Sequence, residues 1–416
     1  MKGVLMINSG DTAWVLTSTA LVMLMTAPGL AFFYGGLVRR KNVLSVMMQS
    51  FFMLCMVSVQ WVLFGYSLAF GPDFHHLVGG LQWIGLHGVW MTPDADYSGT
   101  IPHLLFCMFQ MMFAVITPAL ITGAFAERMK FATFAIFSIL WATFVYDPIA
   151  HWVWGAGGWL RNLGALDFAG GTVVHISSGV SALVCALMLG RRKNYPDSPV
   201  SPHNMTHTVM GAALLWFGWF GFNAGSALAA NELAVSAFTA TNTATATAAL
   251  TWLVIEWLVA GKPTVLGVAT GAVAGLVAIT PASGFVGPLS SIAIGILVGT
   301  GCFIAVTIIK GKLGYDDSLD AFGVHGVGGM IGALSTGLFA SKVVNAGGNN
   351  GLFFGNPAQL GIQAIAVLAT IAYAVIMTVI LLTVLKVVMG LRVSDDEETI
   401  GLDHTQHKES AYTLLD

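Results

Sequence analysis

Long apolar runs separated by short polar stretches make up most of this chain. A helix needs about 20 mostly apolar residues to cross a bilayer. About eleven runs meet or approach that length, at 14–37, 43–70, 101–124, 131–153, 170–190, 205–226, 235–260, 264–281, 284–309, 323–341 and 359–389. The pattern predicts an all-α polytopic membrane protein with about 11 transmembrane helices.

The composition supports a membrane location. Hydrophobic residues make up 56% of the 416 positions and charged residues only 9%, whereas about a quarter of an ordinary soluble domain is charged. Soluble and disordered classes are therefore excluded. The net charge of −3 and the lack of a basic tract also argue against nucleic-acid binding.

The basic residues predict the orientation in the membrane. If every run spans, 14 of the 17 Lys and Arg residues fall on one side, with Lys2, Arg161 and Lys342 opposite. Because cytoplasmic loops carry the excess of positive charge, we expect an outside N-terminus and a cytoplasmic C-terminus in the cell membrane.

Two runs indicate an internal repeat. Residues 170–193 and 322–342 form the fifth and tenth runs and share a Val-His step among Gly and Ser. Since five is odd, the two halves would be inverted relative to each other, as in many transporters. We therefore predict two inverted five-helix repeats plus an eleventh helix in a transmembrane domain at 1–389. An acidic, polar cytoplasmic tail follows at 390–416, either solvated or ordered against a partner.

The repeat places one histidine in each half of the membrane domain. His175 follows Asp167 by eight residues, and His325 follows Asp320 by five. At 1.5 Å per residue, both imidazoles would lie about 8 to 12 Å inside opposite faces, where neighbouring glycines permit close helix approach. They could pack as neutral rings, hydrogen-bond along a pore, or bind a metal or haem, but no third ligand accompanies them and we expect no cofactor.

Aromatic residues form a second group near the outer ends of the helices. Aromatic faces with a hydroxyl can recognise a cation without a carboxylate, although aromatic residues at an interface also form the ordinary membrane belt, the simpler reading for Trp154. Asp167 precedes Gly170 and Gly171, and it can cap the helix there. The aromatic group consists of Phe109 and Phe113 on the third run, Trp154, and Trp219 and Phe222 with Ser226 on the sixth.

Six strings then identify a resemblance that covers nearly the whole chain. Together they resemble, in order, the signatures of the bacterial ammonium transporters of the Amt type, within the Amt/Rh family. The strings are AFFYGGLVRRKNVL (31–44), GAFAERMKF (123–131), ALDFAGGTVVH (165–175), WFGFNAGSA (219–227), DAFGVHGVGG (320–329) and GLRVSDDEETIGLD (390–403).

The resemblance implies a homotrimer in the lipid bilayer with one pore per subunit, and a tail contacted by a PII-type signal protein. Its motif positions also imply roles for particular residues. The outer ammonium site is matched by Phe109, Trp154 and Ser226, with Trp219 nearby. The gate rings are matched by Phe113 and Phe222, and the pore pair by His175 and His325. Asp167 matches the acidic residue that supports recruitment or deprotonation.

We expect an ammonium transporter or channel, not an enzyme. It would recruit NH4+ outside, deprotonate it and conduct NH3 past the histidines, with methylammonium as an analogue substrate. Two rival functions are an ammonium sensor with the same fold and a membrane enzyme that uses the histidines with a metal or haem.

Overall fold

The computed structural model describes residues 6–193, 195–196 and 201–412. All eleven predicted runs are helical, and we number the helices in chain order. They are α1 Ser9–Leu37, α2 Arg40–Phe70, α3 His103–Phe125, α4 Phe131–Leu163, α5 Gly171–Leu189, α6 Met205–Gly225, α7 Glu232–Ala260, α8 Val265–Ile279, α9 Pro288–Leu313, α10 Phe322–Phe339 and α11 Ala358–Val388.

Within the described part of the chain, nine of these helices are long and apolar enough to cross a membrane. The other two are α6, which has 21 residues but a less apolar composition, and α8, which has 15 residues. The predicted all-α membrane architecture is confirmed, while the count of eleven crossings stays a prediction. A short antiparallel hairpin follows α2, with β1 at Asp73–Phe74 and β2 at Val78–Gly79.

Several helices contain a π-helical turn, in which the hydrogen bonds reach one residue further than in an α-helix. Such turns are often found at functional sites. Both histidine-bearing helices begin with one, Gly171–Ile176 in α5 and Phe322–Gly326 in α10. The shared plan of α5 and α10 agrees with the predicted repeat.

The middle of α5 packs against the start of α10 at glycines, close to the two histidines. A Cβ added to Gly179 would lie only 2.1 Å from the backbone nitrogen of Gly326. This crossing therefore requires the absence of a side chain at Gly179.

The tail packs against loops of its own chain through two short helices, α12 Asp395–Ile400 and α13 Leu402–His407. Asp403 Oδ1 accepts a hydrogen bond from the Ser45 amide at 2.8 Å, near the start of α2. The buried Glu398 accepts from the Lys193 amide at 2.7 Å and from Arg392 at 2.6 Å. The described part of the tail is thus ordered on the protomer itself.

Candidate functional site

A cavity of about 220 Å³ opens near the ends of α3, α4 and α6. Trp154, Phe113 and Ser226 are among the residues that line it. The Trp154 indole donates to the Asp167 carbonyl at 2.9 Å, and the Ser226 hydroxyl donates to the Phe222 carbonyl at 2.8 Å. These bonds fix both side chains while leaving the indole face and the Ser226 oxygen lone pairs available to a cation.

Phe109 does not line this cavity. Its side chain is fully buried, and its ring centroid lies 5.0 Å from that of Phe113, which it supports from behind. Phe109 also lies beside Gly225, the residue before Ser226, where an added Cβ would be 3.0 Å from Phe109 Cε2.

Two phenyl rings close the inner end of the cavity. The centroids of Phe113 and Phe222 lie 4.2 Å apart with a tilt of 34°, and the Trp154 ring meets Phe113 edge-on at 5.9 Å. Phe113 lines the outer cavity and Phe222 lines the next one inward. The ring pair thus separates the two spaces.

His175 and His325 lie directly behind the phenyl pair. Their ring centroids are 5.4 Å apart with an interplanar angle of only 15°, and the Phe222 ring is 6.2 Å from His175. The cavity beside them measures only about 10 Å³, close to the smallest space that holds one water molecule. Apart from the imidazoles its lining is apolar or aromatic, with Met25, Leu30, Phe33, Ile116, Leu120, Leu215, Trp219, Phe222 and Val273.

The imidazoles make few polar contacts with the protein. Among the described residues, both ring nitrogens of His175 and Nδ1 of His325 are buried with no hydrogen-bond partner. Trp219 stacks on His175 at 5.4 Å, but its indole donates to the Thr280 hydroxyl at 2.8 Å. Buried polar atoms are normally paired, so these nitrogens point to a small polar guest.

Asp167 is a helix cap. Its Oδ1 accepts from the Gly170 and Gly171 amides at 2.8 and 2.7 Å, and its Oδ2 accepts from the Thr172 and Val173 amides at 2.8 and 3.1 Å. Burial raises the pKa of this carboxyl, although the four amides oppose the shift. Asp167 does not line the outer cavity described above, so its carboxylate reaches that cavity only indirectly.

Asp317 holds the matching place before α10, a role that the sequence reading missed. Its carboxylate accepts from the Ala321 and Phe322 amides at 3.1 and 2.8 Å. It lies eight residues before His325, as Asp167 lies eight before His175, and this spacing was the available signal. Burial raises its pKa to about 6, although the Lys310 ammonium opposes the shift.

A third cavity continues from His325 towards the far side of the molecule. It measures about 440 Å³, and its lining includes Tyr34, Lys310 and Asp320. Lys310 and Asp320 form an ion pair at 2.6 Å. The three cavities therefore follow one another through the protomer, separated by the phenyl pair and by the histidines.

Comparisons with known proteins identify the family of this chain. The model of the Ammonium Transporter Family matches residues 13–412. The chain is 55% identical to the ammonium transporter of Bacillus subtilis (strain 168) over 403 residues, covering 97% of this chain and 98% of that protein. It is 51% identical to the ammonium transporter Amt1 of Archaeoglobus fulgidus over 407 residues, covering 98% and 100%.

Solved structures have the same fold. Mep2 of Saccharomyces cerevisiae matches with a TM-score of 0.88 and 39% identity over 94% of this chain and 88% of that chain. A protein described as Sensor Amt Protein matches with a TM-score of 0.87 and 32% identity over 96% and 98%. This chain therefore belongs to the ammonium transporter family, as a multi-pass membrane protein that transports ammonium and is not an enzyme.

Proposed function

We propose that the protein recruits NH4+ in the outer cavity, removes a proton near the phenyl pair and conducts NH3 past His175 and His325. The observation that carries the proposal is the stacked histidine pair inside a passage otherwise lined by apolar and aromatic groups. Three of its four ring nitrogens are buried without a protein partner in the described chain. Neutral imidazoles can both donate and accept hydrogen bonds, as NH3 can.

Selectivity follows from the same passage. Ammonium resembles potassium in size and charge, so a cage of carboxylates would separate the two ions poorly. A space of about 10 Å³ has no room for a hydrated ion, and a bare ion pays a large desolvation cost in apolar surroundings. Loss of a proton gives ammonium an uncharged form that potassium lacks.

We further propose Trp154, Phe113 and Ser226 as the recruiting residues, with Phe109 as a supporting ring. Phe113 and Phe222 act as the gate. Asp167 supports recruitment or deprotonation, and its carbonyl accepts the hydrogen bond that holds the Trp154 indole in place. The proton then leaves by a route separate from the NH3 path.

Replacement of both histidines with leucine tests the proposal in liposomes. We expect the double variant His175→Leu with His325→Leu to lose most uptake of ammonium and methylammonium. The control His87→Leu changes an exposed histidine and should leave uptake unchanged. Full, potassium-excluding uptake by the double variant would overturn the proposal.

Current recordings on the same liposomes address the movement of charge. Wild type and Asp167→Asn would be compared in ammonium, methylammonium and potassium. We expect ammonium and methylammonium to be transported and potassium to be excluded, with less transport in the variant. Equal transport by the two proteins would remove Asp167 from the mechanism.

We also propose a homotrimer with an outside N-terminus, a transport domain at 1–389 and a cytoplasmic regulatory tail at 390–416 that a PII-type protein contacts. The distribution of Lys and Arg supports the orientation, and the docked tail offers an ordered surface. Native mass spectrometry of the purified protein tests the trimer, and truncation after Met389 tests the contact.

A sensor remains the second candidate function. Its support is the name of one solved neighbour, Sensor Amt Protein, and no contact among the described residues favours it. Substantial flux of methylammonium through the purified protein would argue for transport, whereas binding without flux would argue for a sensor.

A further inference from the structure

An ionisable side chain lies inside the membrane domain, away from the three cavities. Asp147 belongs to α4 and is fully buried. It directly follows the π-helical turn Ala142–Tyr146, and its partner Gln60 directly precedes the π-helical turn Trp61–Gly65 of α2. Acidic residues within membrane spans are rare and mark functional positions.

Only part of the hydrogen-bonding capacity of Asp147 and Gln60 is used. The Gln60 amide nitrogen donates to Asp147 Oδ2 at 2.8 Å and to the Thr143 hydroxyl at 3.3 Å. These two acceptors fix the orientation of the amide. Two buried oxygens, Asp147 Oδ1 and Gln60 Oε1, have no partner among the described residues. Each of these oxygens is an acceptor that lacks a hydrogen-bond donor.

Among the residues that the structure describes, the Asp147 carboxyl forms no ion pair with a Lys, Arg or His nitrogen within 4 Å. Its neighbours are neutral at ordinary pH: Gln60 donates to it, Thr143 accepts from Gln60, and Tyr146 precedes it on α4. An ionised carboxylate with a single neutral donor would be strongly destabilised here, because burial removes its hydration and no charge replaces it.

We propose that Asp147 and Gln60 form a membrane-embedded proton-binding site, with the proton on Asp147 Oδ1 and shared with Gln60 Oε1. One proton supplies the donor that both orphaned oxygens lack and removes the buried charge. The ligand of the site is a proton and not the transported cation, since neither residue lines any of the three cavities. The site does not depend on the proposed ammonium route.

The neutral pair joins α2 and α4 at their π-helical turns. Trp154 lies seven residues beyond Asp147 on the same helix, so the pair also helps to set the position of that ring. Asp147 is in this sense a positioning residue.

Infrared spectroscopy of the full chain in liposomes tests the site. A protonated carboxyl gives a C=O stretching band distinct from the carboxylate bands, with a small shift in D2O. Near neutral pH, we expect this band in the wild type and its loss in Asp147→Asn. The control Asp395→Asn changes an exposed tail residue and should retain it.

A second variant keeps the test decisive if Asp147→Asn does not fold. Gln60→Leu keeps the carboxyl and removes its partner, so the band should move to higher frequency or disappear. An unchanged band in Gln60→Leu would overturn the proposal. So would a difference spectrum between wild type and Asp147→Asn that contains only carboxylate bands near neutral pH.

Discussion

Asp167 and Asp317 cap the two histidine-bearing helices with different numbers of bonds. Asp167 accepts hydrogen bonds from four backbone amides and Asp317 from two. Asp320, three residues nearer to His325, pairs instead with Lys310, and its carboxylate accepts from no backbone amide among the described hydrogen bonds. At the scale of single residues, the cap of α10 is therefore Asp317.

Asp317→Asn tests this assignment. An amide offers one acceptor oxygen instead of two, so we expect a loss of about 1–2 kcal/mol in the free energy of unfolding and lower ammonium uptake, because the turn that holds His325 loosens. Thermal unfolding and liposome uptake measure the two effects. The matched variant Asp320→Asn breaks only a half-buried ion pair and should cost less than about 1 kcal/mol. The reverse order of effects would assign the cap to Asp320.

At the scale of elements, the close crossing of α5 and α10 sets the width of the passage. Gly179, three residues beyond the π-helical turn of α5, faces Gly326 at the end of the π-helical turn of α10. Small residues at such crossings let helix backbones approach within a membrane. The histidines can stack at 5.4 Å because no side chain separates the helices at this point.

Gly179→Ala should push these helices apart. The added Cβ would meet the backbone of Gly326, which cannot move as a side-chain end could. We expect a cost of about 1–3 kcal/mol and reduced ammonium uptake. Gly361→Ala makes the same chemical change on α11, where the added Cβ meets nothing within 4 Å, and should have little effect. Equal uptake by the two variants would contradict this account.

At the scale of the whole molecule, a network of ion pairs joins distant parts of the chain. It lies at the end of the helices where the tail packs. Glu127 accepts from Arg39 at 2.7 Å and lies 3.3 Å from Arg192, which also pairs with Asp316 at 2.8 Å. These residues follow α1, α3, α5 and α9. The network therefore connects four loops next to the third cavity, which Arg192 helps to line.

This network predicts acid sensitivity. Burial by itself raises the pKa of Glu127, but Arg39 and Arg192 more than offset this, and the pKa lies below its ordinary value. The folded state therefore binds this proton less tightly than the unfolded state. The stabilisation is present above the ordinary pKa of about 4.3 and is lost as the pH falls through the lower, folded pKa.

Glu127→Gln should lower the melting temperature near neutral pH, with a cost of about 3 kcal/mol, and should flatten the fall of stability in acid. Thermal unfolding in detergent across this pH range measures both effects. The exposed Glu232 provides the control Glu232→Gln, which should change stability by less than about 1 kcal/mol. Identical pH profiles for Glu127→Gln and wild type would contradict the prediction.

The sequence by itself determined the membrane class and the positions of the helices, because hydropathy is a local property that each run displays alone. It also singled out His175 and His325, since polar groups in apolar runs stand out without any knowledge of contacts. The shared motif strings added the expected roles of the aromatic residues. The family and the all-helical architecture are confirmed, whereas the roles of the individual site residues stay predictions.

Only the tertiary structure decided which of these side chains face a cavity. It placed Phe109 behind Phe113, gave the second cap to Asp317, and paired Asp147 with Gln60, 87 residues away in the chain. Each of these outcomes depends on how helices distant in sequence pack against one another. Hydropathy along one helix does not specify its neighbours, so these contacts appear only when the helices are assembled.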